Sequence, residues 1–293
     1  MKIAVSTYSF NPLLLSGAIT QFACIEKAVE MGFDAIEFVD ILPHDGSSAE
    51  EYAKKLRAEC EKHSLPISNY TFGADFLTGS GGNLQEEIER VKRQIDLAEI
   101  LGATSVRHDA TTGFAAGSRG FRGFEEALPR LAEGCRAVTE YAAEKGIRTM
   151  VENHGLFCQD SCRVEKLINR VAHENFGLLC DMGNFLCVDE DPSLAYSRVA
   201  PYAFYAHAKD FHVKSGMEPN PGEGYWQSRG GNYLRGAIIG HGNVPVKQCL
   251  SILKNAGYNG TIAVEFEGLE DSFKGISIGL ANLRRYTAEV YGE

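Results

Sequence analysis

Short apolar, β-rich runs alternate with longer amphipathic ones eight times along this chain, and that count constrains its fold more than any other feature. The strand candidates are residues 2–9, 35–40, 66–72, 104–109, 148–153, 176–181, 204–209 and 261–267. Their apolar content is nearly continuous, as expected of parallel strands that are covered by helices on one face and fill a core on the other. The helix candidates between them are residues 19–31, 49–63, 84–101, 124–145, 161–171, 192–199, 246–256 and 271–291. Several end alike, at a glycine followed by a short turn and the next strand: MGFDAIEF, LGATSVRH, KGIRTMVE and AGYNGTIAVE. Glycine takes the left-handed conformation that closes a helix without steric cost. Eight βα units favour a closed barrel over a doubly wound open sheet. No G-x-G-x-x-G follows the first strand, which weakens the dinucleotide-binding alternative. The expected architecture is an α/β fold, a (β/α)8 TIM barrel formed as a single domain by residues 1–293.

No linker, charge block or low-complexity segment divides the chain. The longest irregular stretch is about residues 212–244, which contains PNPGEGYWQSRGG. A loop that long in a compact domain usually has a function. The single tryptophan, Trp226, together with Arg229 and Arg235, marks it as a lid or binding loop rather than a disordered insertion. The formal net charge of -10 argues against nucleic acid as a partner, because phosphate binding wants a basic face. Eight scattered cysteines without a C-x-x-C pair read as reduced intracellular thiols, and Cys158 with Cys162 lacks the second pair that a zinc site would want. The start, MKIAVSTYSF, lacks the apolar segment of a signal peptide, and no run approaches the roughly 18 apolar residues of a membrane span. A cytoplasmic location without membrane attachment is expected.

Catalytic groups of a barrel sit at the C-terminal ends of its strands. Here strand five ends in Glu152-Asn153-His154, strand six in Asp181-Met182-Gly183-Asn184, strand seven carries His207-Ala208-Lys209-Asp210, and strand eight carries Glu265-Phe266-Glu267. Any one of these is an ordinary solvated strand end or a satisfied core histidine. Four on consecutive neighbouring strands are harder to dismiss. Three carboxylates converging on one mouth repel one another unless a positive centre sits among them. A divalent cation held by Glu152, Asp181, His207 and Glu265 supplies it. Three oxygens and one imidazole nitrogen favour manganese, with magnesium, cobalt or zinc also suited.

These motifs resemble a known family over essentially the whole chain. VENH (151–154), DMGN (181–184), HAKD (207–210), and IGHGNV followed by LKNAGYNGTIAVEFEG (253–268) are similar in order and spacing to the xylose isomerase-like barrels. That family of sugar phosphate isomerases and epimerases includes ketose 3-epimerases, hydroxypyruvate isomerase and inosose dehydratase. The resemblance implies that Glu152, Asp181, His207 and Glu265 are the metal ligands. It also implies that Glu152 and Glu265 are the acids that flank the substrate and move its protons. His154, Asn184 and Lys209 fall where the family places substrate-contacting or supporting groups. Ketose 3-epimerases carry a histidine where this chain has Asn184, so the resemblance does not extend to that activity in particular. Relatives often self-associate, and a homo-oligomer is expected.

Further substrate contacts are expected from Arg107 and His108, which alternate in direction at the end of strand four so that one faces inward, and from Trp226 and the glycine-flanked His241. Tyr8 is a candidate for the pocket wall and Glu37 for a partner of the site residues. The expected function is a metal-dependent isomerase or epimerase of a small sugar or keto-sugar, acting by proton abstraction beside a carbonyl through an enediolate. A lyase on the same site, such as an inosose dehydratase or a keto-glycoside-cleaving enzyme, shares that first step. An endonuclease-like member is disfavoured by the acidic balance, and a non-catalytic sugar-binding protein by the presence of all four ligands.

Overall fold

The computed structural model describes residues 1–115, 117, 120 and 122–292. Its barrel strands are β1 (Lys2–Ser6), β2 (Ala35–Val39), β3 (Ile67–Phe72), β4 (Ser105–His108), β5 (Arg148–Glu152), β6 (Phe176–Asp181), β7 (Ala203–Ala208) and β11 (Thr261–Val264). They close in the order β1-β11-β7-β6-β5-β4-β3-β2, every pairing parallel. Closure joins Lys2–Val5 to Thr261–Val264, so the chain's first strand lies beside its last barrel strand. The helices are α1 (Asn11–Leu15), α2 (Gln21–Met31), α3 (Ala49–Lys62), α4 (Leu84–Leu101), α5 (Phe124–Glu144), α6 (Ser161–Val171), α7 (Pro192–Val199), α8 (Val246–Asn255) and α9 (Ser272–Tyr291). None of the described helices is long and apolar enough to cross a membrane.

Side chains of a strand alternate in direction with period two, and that alternation builds the interior in two storeys. The lower one is small or apolar: Ala4, Ala35, Met150, Leu179, Tyr205 and Ala263 form a cluster of their own. Two residues further along the same strands stand Ser6, Glu37, Glu152, Asp181, His207 and Glu265, all buried. The opposite parity, including Val5, Ile36, Phe38, Val106, Val151, Leu178 and Val264, packs outward in the large core under the helices. Burying an aliphatic or aromatic side chain of this kind contributes about 1.5–3 kcal/mol. The storey of ionisable groups gives back much of what the layer could have gained, which is the signature of a functional layer.

Two expectations change. The first strand ends at Ser6 rather than residue 9, because Thr7–Phe10 turns into a 3-10 helix capped by the Ser6 hydroxyl, which accepts from the Tyr8 amide. The stretch 212–244 is not an irregular loop. It contains most of an antiparallel sheet ordered β8-β10-β9, from β8 (Asp210–Lys214), β9 (Trp226–Gln227) and β10 (Tyr233–Ala237). Strand β8 leaves the barrel with only Lys209 between it and β7.

Candidate metal centre and active site

Glu152, Asp181, His207 and Glu265 each turn one ligand atom toward the others, all within 4.8 Å of one another. His207 Nδ1 lies 3.8 Å from Glu152 Oε1, 3.7 Å from Asp181 Oδ2 and 3.4 Å from Glu265 Oε2. Each atom is aimed by what its neighbour atom does. Asp181 Oδ1 accepts the amides of Gly183 and Asn184 at 2.7 and 2.8 Å, which leaves Oδ2 facing the cluster. Asn153 holds the Asp181 backbone from both sides, donating to its carbonyl and accepting from its amide. His207 Nε2 lies 2.9 and 3.1 Å from the two oxygens of Glu37, itself held by Ser6 and Thr71 hydroxyls. With Nε2–H given to Glu37, Nδ1 is left to face three carboxylates.

The cluster fits a cation on an observation independent of any relative. Asp181 Oδ2, His207 Nδ1 and Glu265 Oε2 are buried without a hydrogen-bond partner, although Lys209 Nζ lies 3.4 Å from Asp181 Oδ2 and 2.5 Å from Glu265 Oε2 as an ion pair. Orphaned acceptors at one point are costly unless something positive lies between them. Burial opposes charge on His207, yet Glu37 and Glu265 outweigh it and push its pKa well above the usual value. Either a proton or a metal ion at Nδ1 answers that demand, and three oxygens with one nitrogen suit a divalent metal.

Around the cluster runs a second set of contacts. Arg107 reaches Glu152 Oε2 at 2.6 Å and Asp109 Oδ1 at 3.0 Å, and Asp109 in turn holds His154 Nδ1 at 2.9 Å. Asn184 donates to Glu152 Oε1 at 2.9 Å and accepts from Lys209 Nζ at 3.2 Å, so its amide joins two charged groups of the site. Lys209 is also 3.4 Å from Asp181 Oδ2. Burial raises the Glu265 carboxyl, but Lys209 and then His207 overcome this and hold it well below the usual range.

A cavity of about 420 Å³ opens above the cluster, within the usual size range of small-ligand sites. Arg107, Glu152, His154, Asn184, Lys209, Trp226 and Glu265 all line it, and so does Tyr8. Trp226 and Gln227 reach it from β9, so the antiparallel sheet supplies one wall.

His108 and His241 depart from expectation. His108 has the outward parity of β4. Its ring packs among Phe72, Phe76 and Phe176 and its Nδ1 contacts the Asp109 carbonyl at 2.8 Å, so it is turned away from the cavity and Arg107 is the inward member of the pair. His241 is exposed on the turn after β10 and does not line the cavity. Its flanking glycines serve Asp210, whose carboxylate accepts the amides of Gly240, Gly242 and Val244. Arg229 and Arg235 pair with Asp160 and Glu270 outside the cavity lining.

Two acids of the cavity wall escaped the sequence reading. Asp40, just past β2, has φ 51°, and Glu267 follows β11 and shares a hydrogen bond with the Tyr8 hydroxyl. Burial pushes both above the usual carboxyl range, against the pull of Arg107 on Asp40 and Lys209 on Glu267. Burial and then Glu267 push Tyr8 up to about 12. The two-residue step from Glu265 was the available signal for Glu267; nothing in the sequence pointed to Asp40.

A model of the xylose isomerase-like TIM barrel family matches residues 25–286. None of the curated protein sequences matches the chain. Among solved structures, the IolI protein with a bound zinc atom is 15% identical with a TM-score of 0.76, the alignment covering 100% of each chain. The 3-keto-D-glucoside 4-epimerase YcjR of E. coli is 15% identical with a TM-score of 0.70, covering 97% of this chain and 99% of that one. A xylose isomerase-like TIM barrel/4-hydroxyphenylpyruvate dioxygenase fusion protein is 20% identical with a TM-score of 0.75; 99% of this chain is covered but only 43% of the fusion, so this chain spans less than half of that relative. These likenesses carry the fold, and the family model spans nearly the whole sequence. The chain belongs to the family of xylose isomerase-like TIM barrels.

Proposed function

We propose that this protein is a divalent-metal-dependent isomerase or epimerase of a small sugar or keto-sugar. The observation that carries the reading is the set of buried, mutually facing atoms of Glu152, Asp181, His207 and Glu265 beside a ligand-sized cavity, with Asp181 Oδ2, His207 Nδ1 and Glu265 Oε2 lacking a hydrogen-bond partner. Similarity to a 3-keto-D-glucoside 4-epimerase and to a zinc-containing barrel supports it. Manganese is the cation best suited to one imidazole and three carboxylates, with magnesium, cobalt and zinc as substitutes. When bound, such an ion supplies Lewis-acid polarisation of a carbonyl and stabilises the negative charge that builds on it.

The chain's own residues do the rest. Glu152 and Glu265 stand on strands separated by β6 and β7, so a substrate lying between them meets a carboxylate on two sides. One takes the proton beside the carbonyl to leave an enediolate. Return of a proton to the opposite face by the other glutamate, in its protonated form, gives the epimer; return to the neighbouring carbon, with the hydroxyl proton passing to the former carbonyl oxygen, gives the isomer. Arg107 and Asn184 hold Glu152, and Lys209 holds Glu265, so neither acid swings when the substrate's charge shifts. His154 and Trp226 line the cavity, which supports assigning them to the substrate body.

Elimination is the second reading: it shares the proton abstraction beside a carbonyl, and the wall that Trp226 and Gln227 add from β9 extends the cavity lining beyond the barrel strands. Incubating the metal-loaded protein in deuterated water with ketoses, inososes and keto-glycosides separates the two by NMR. An isomerase or epimerase returns a product deuterated at the exchanged carbon, and a lyase returns an unsaturated or cleaved one. Glu152→Gln and Glu265→Gln are each expected to abolish exchange; full turnover in either variant removes that residue from the role.

A further inference from the structure

Trp226 reaches the cavity on a strand with little pairing of its own. Among the described residues β9 pairs only with β10, through Trp226 with Leu234 and Gln227 with Tyr233. So short a ladder is marginal at best in water. The indole stands edge-on to Phe211, ring centroids 5.7 Å apart, and the residue stays 39% exposed. Burial therefore supplies only part of what fixes it.

The turn that leads out of β9 is gripped by one carboxylate. Asp189 Oδ1 accepts the Ser228 hydroxyl at 2.6 Å and the Asn232 side-chain amide at 2.8 Å, and Oδ2 accepts the Gly230 backbone amide at 2.5 Å. Hydrogen bonds to a charged acceptor are among the strong ones. Ser228 Oγ also accepts the Asn232 backbone amide at 2.9 Å, so the turn is closed on itself and moves as a unit. The Arg229 amide donates to the Cys187 carbonyl at 2.8 Å, and its guanidinium reaches Asp160 at 3.0 Å. An added Cβ at position 230 would stand 2.6 Å from Asp189 Oδ2, so the clamp leaves no room for a side chain there. Asp189 has φ 60°, a left-handed conformation that Asp tolerates better than most residues. It ends the 3-10 turn Asn184–Val188, whose first residue bridges Glu152 and Lys209. The clamp thus ties the Trp226 wall to the segment that steadies both acids.

We propose that Asp189 is a positioning residue: it fixes where Trp226 and Gln227 stand, and through them sets how tightly the cavity grips its substrate. Asp189 is not among the residues that line the cavity, so it acts only through the wall. The effect on the substrate rests on the proposed reading of the cavity as a substrate site; the placement of Trp226 does not.

Trp226 is the only tryptophan of the chain, so its fluorescence reports on this wall alone. Acrylamide quenching is measured on the full-length protein, on Asp189→Asn and Gly230→Ala, and on Glu218→Gln, an exposed control between β8 and β9 with the same change of charge. Asparagine keeps the size and the left-handed backbone of Asp189 but turns one acceptor into a donor. Asp189 is exposed, so the change leaves the core intact, which circular dichroism and the urea midpoint check. Both clamp variants are expected to raise the quenching constant at least about twofold by freeing the strand locally, and the control to leave it unchanged. Asp189→Asn with Ser228→Ala is expected to quench no more than the stronger single variant, because both cut one clamp; independent loosening would add. For any sugar of the panel that is turned over, Asp189→Asn is expected to raise KM at least about threefold with kcat held within about twofold. An unchanged quenching constant in the clamp variants overturns the inference, as does additivity in the double variant or a loss confined to kcat. If Asp189→Asn fails to fold, Gly230→Ala and Ser228→Ala test the same clamp from the turn. Raised quenching with no sugar turned over sustains the hold of Asp189 on Trp226 and counts against the proposed reaction alone.

Discussion

A histidine with one nitrogen committed to a carboxylate has one left to give, and in His207 that nitrogen meets three acids. Glu37 therefore sets which nitrogen faces the cluster. Glu37→Gln should weaken cation binding by about 10–100-fold, measured by calorimetric titration of the stripped protein; unchanged affinity would remove the orienting role. His108 tests the outer side of the same barrel. Burial, assisted by Arg107 and Arg90, pulls its pKa down from 6.5 to about 4, against the opposing pull of Asp109. The folded protein keeps the ring neutral where an unfolded chain would protonate it. Its stabilising effect is complete above pH 6.5 and is lost as the pH falls toward 4, by about 3 kcal/mol at most. His108→Phe should flatten that loss, read from urea unfolding at pH 7 and pH 4.5. The four clustered side chains were legible because a charge at the end of an apolar strand is anomalous wherever it occurs. The alternation rule said that one of Arg107 and His108 faces inward, but only the parity of the folded strand says which. Asp40 was not legible because its place in the cavity wall goes with a left-handed backbone conformation, not with its neighbours in sequence.

At the scale of elements, the glycine-stopped helices were readable because the stop is local. Gly32 and Gly102 both close their helices in the left-handed region, at φ 81° and 84°. The antiparallel sheet was not readable. Its middle partner β10 pairs with a strand that runs on from the barrel and with a two-residue piece, so no alternating run or tight-turn signal marks it. What anchors it is Asp210, which gathers the amides after β10. The approach is too close for a side chain at position 242, where a Cβ would stand 2.2 Å from Asp210 Oδ1 and 2.5 Å from the Phe211 carbonyl. Gly242→Ala should cost about 1–3 kcal/mol and lower the unfolding temperature by several degrees in calorimetry. An unaltered melt would mean that the turn relaxes freely.

For the whole molecule, the eightfold alternation was enough to give a closed barrel, because short parallel strands with covering helices have few other ways to bury both faces. The cluster of Glu152, Asp181, His207 and Glu265 spans that closure. Its side chains come from β5, β6, β7 and the end of β11, and Glu37, which contacts His207 Nε2, comes from β2. An ion bound here binds only the folded chain, and at about 1,000 times its dissociation constant it adds roughly 4 kcal/mol. Removing it with a chelator should lower the unfolding temperature, and returning manganese should restore it, both followed by calorimetry; a melt indifferent to chelator would count against a stoichiometric ion. The seam between β1 and β11 carries a temporal consequence. A ribosome delivers Glu37 early and Glu265 late, so the cluster stays incomplete in a growing chain until its last barrel strand has zipped onto its first. An ion held by that cluster would therefore enter only after the barrel has closed.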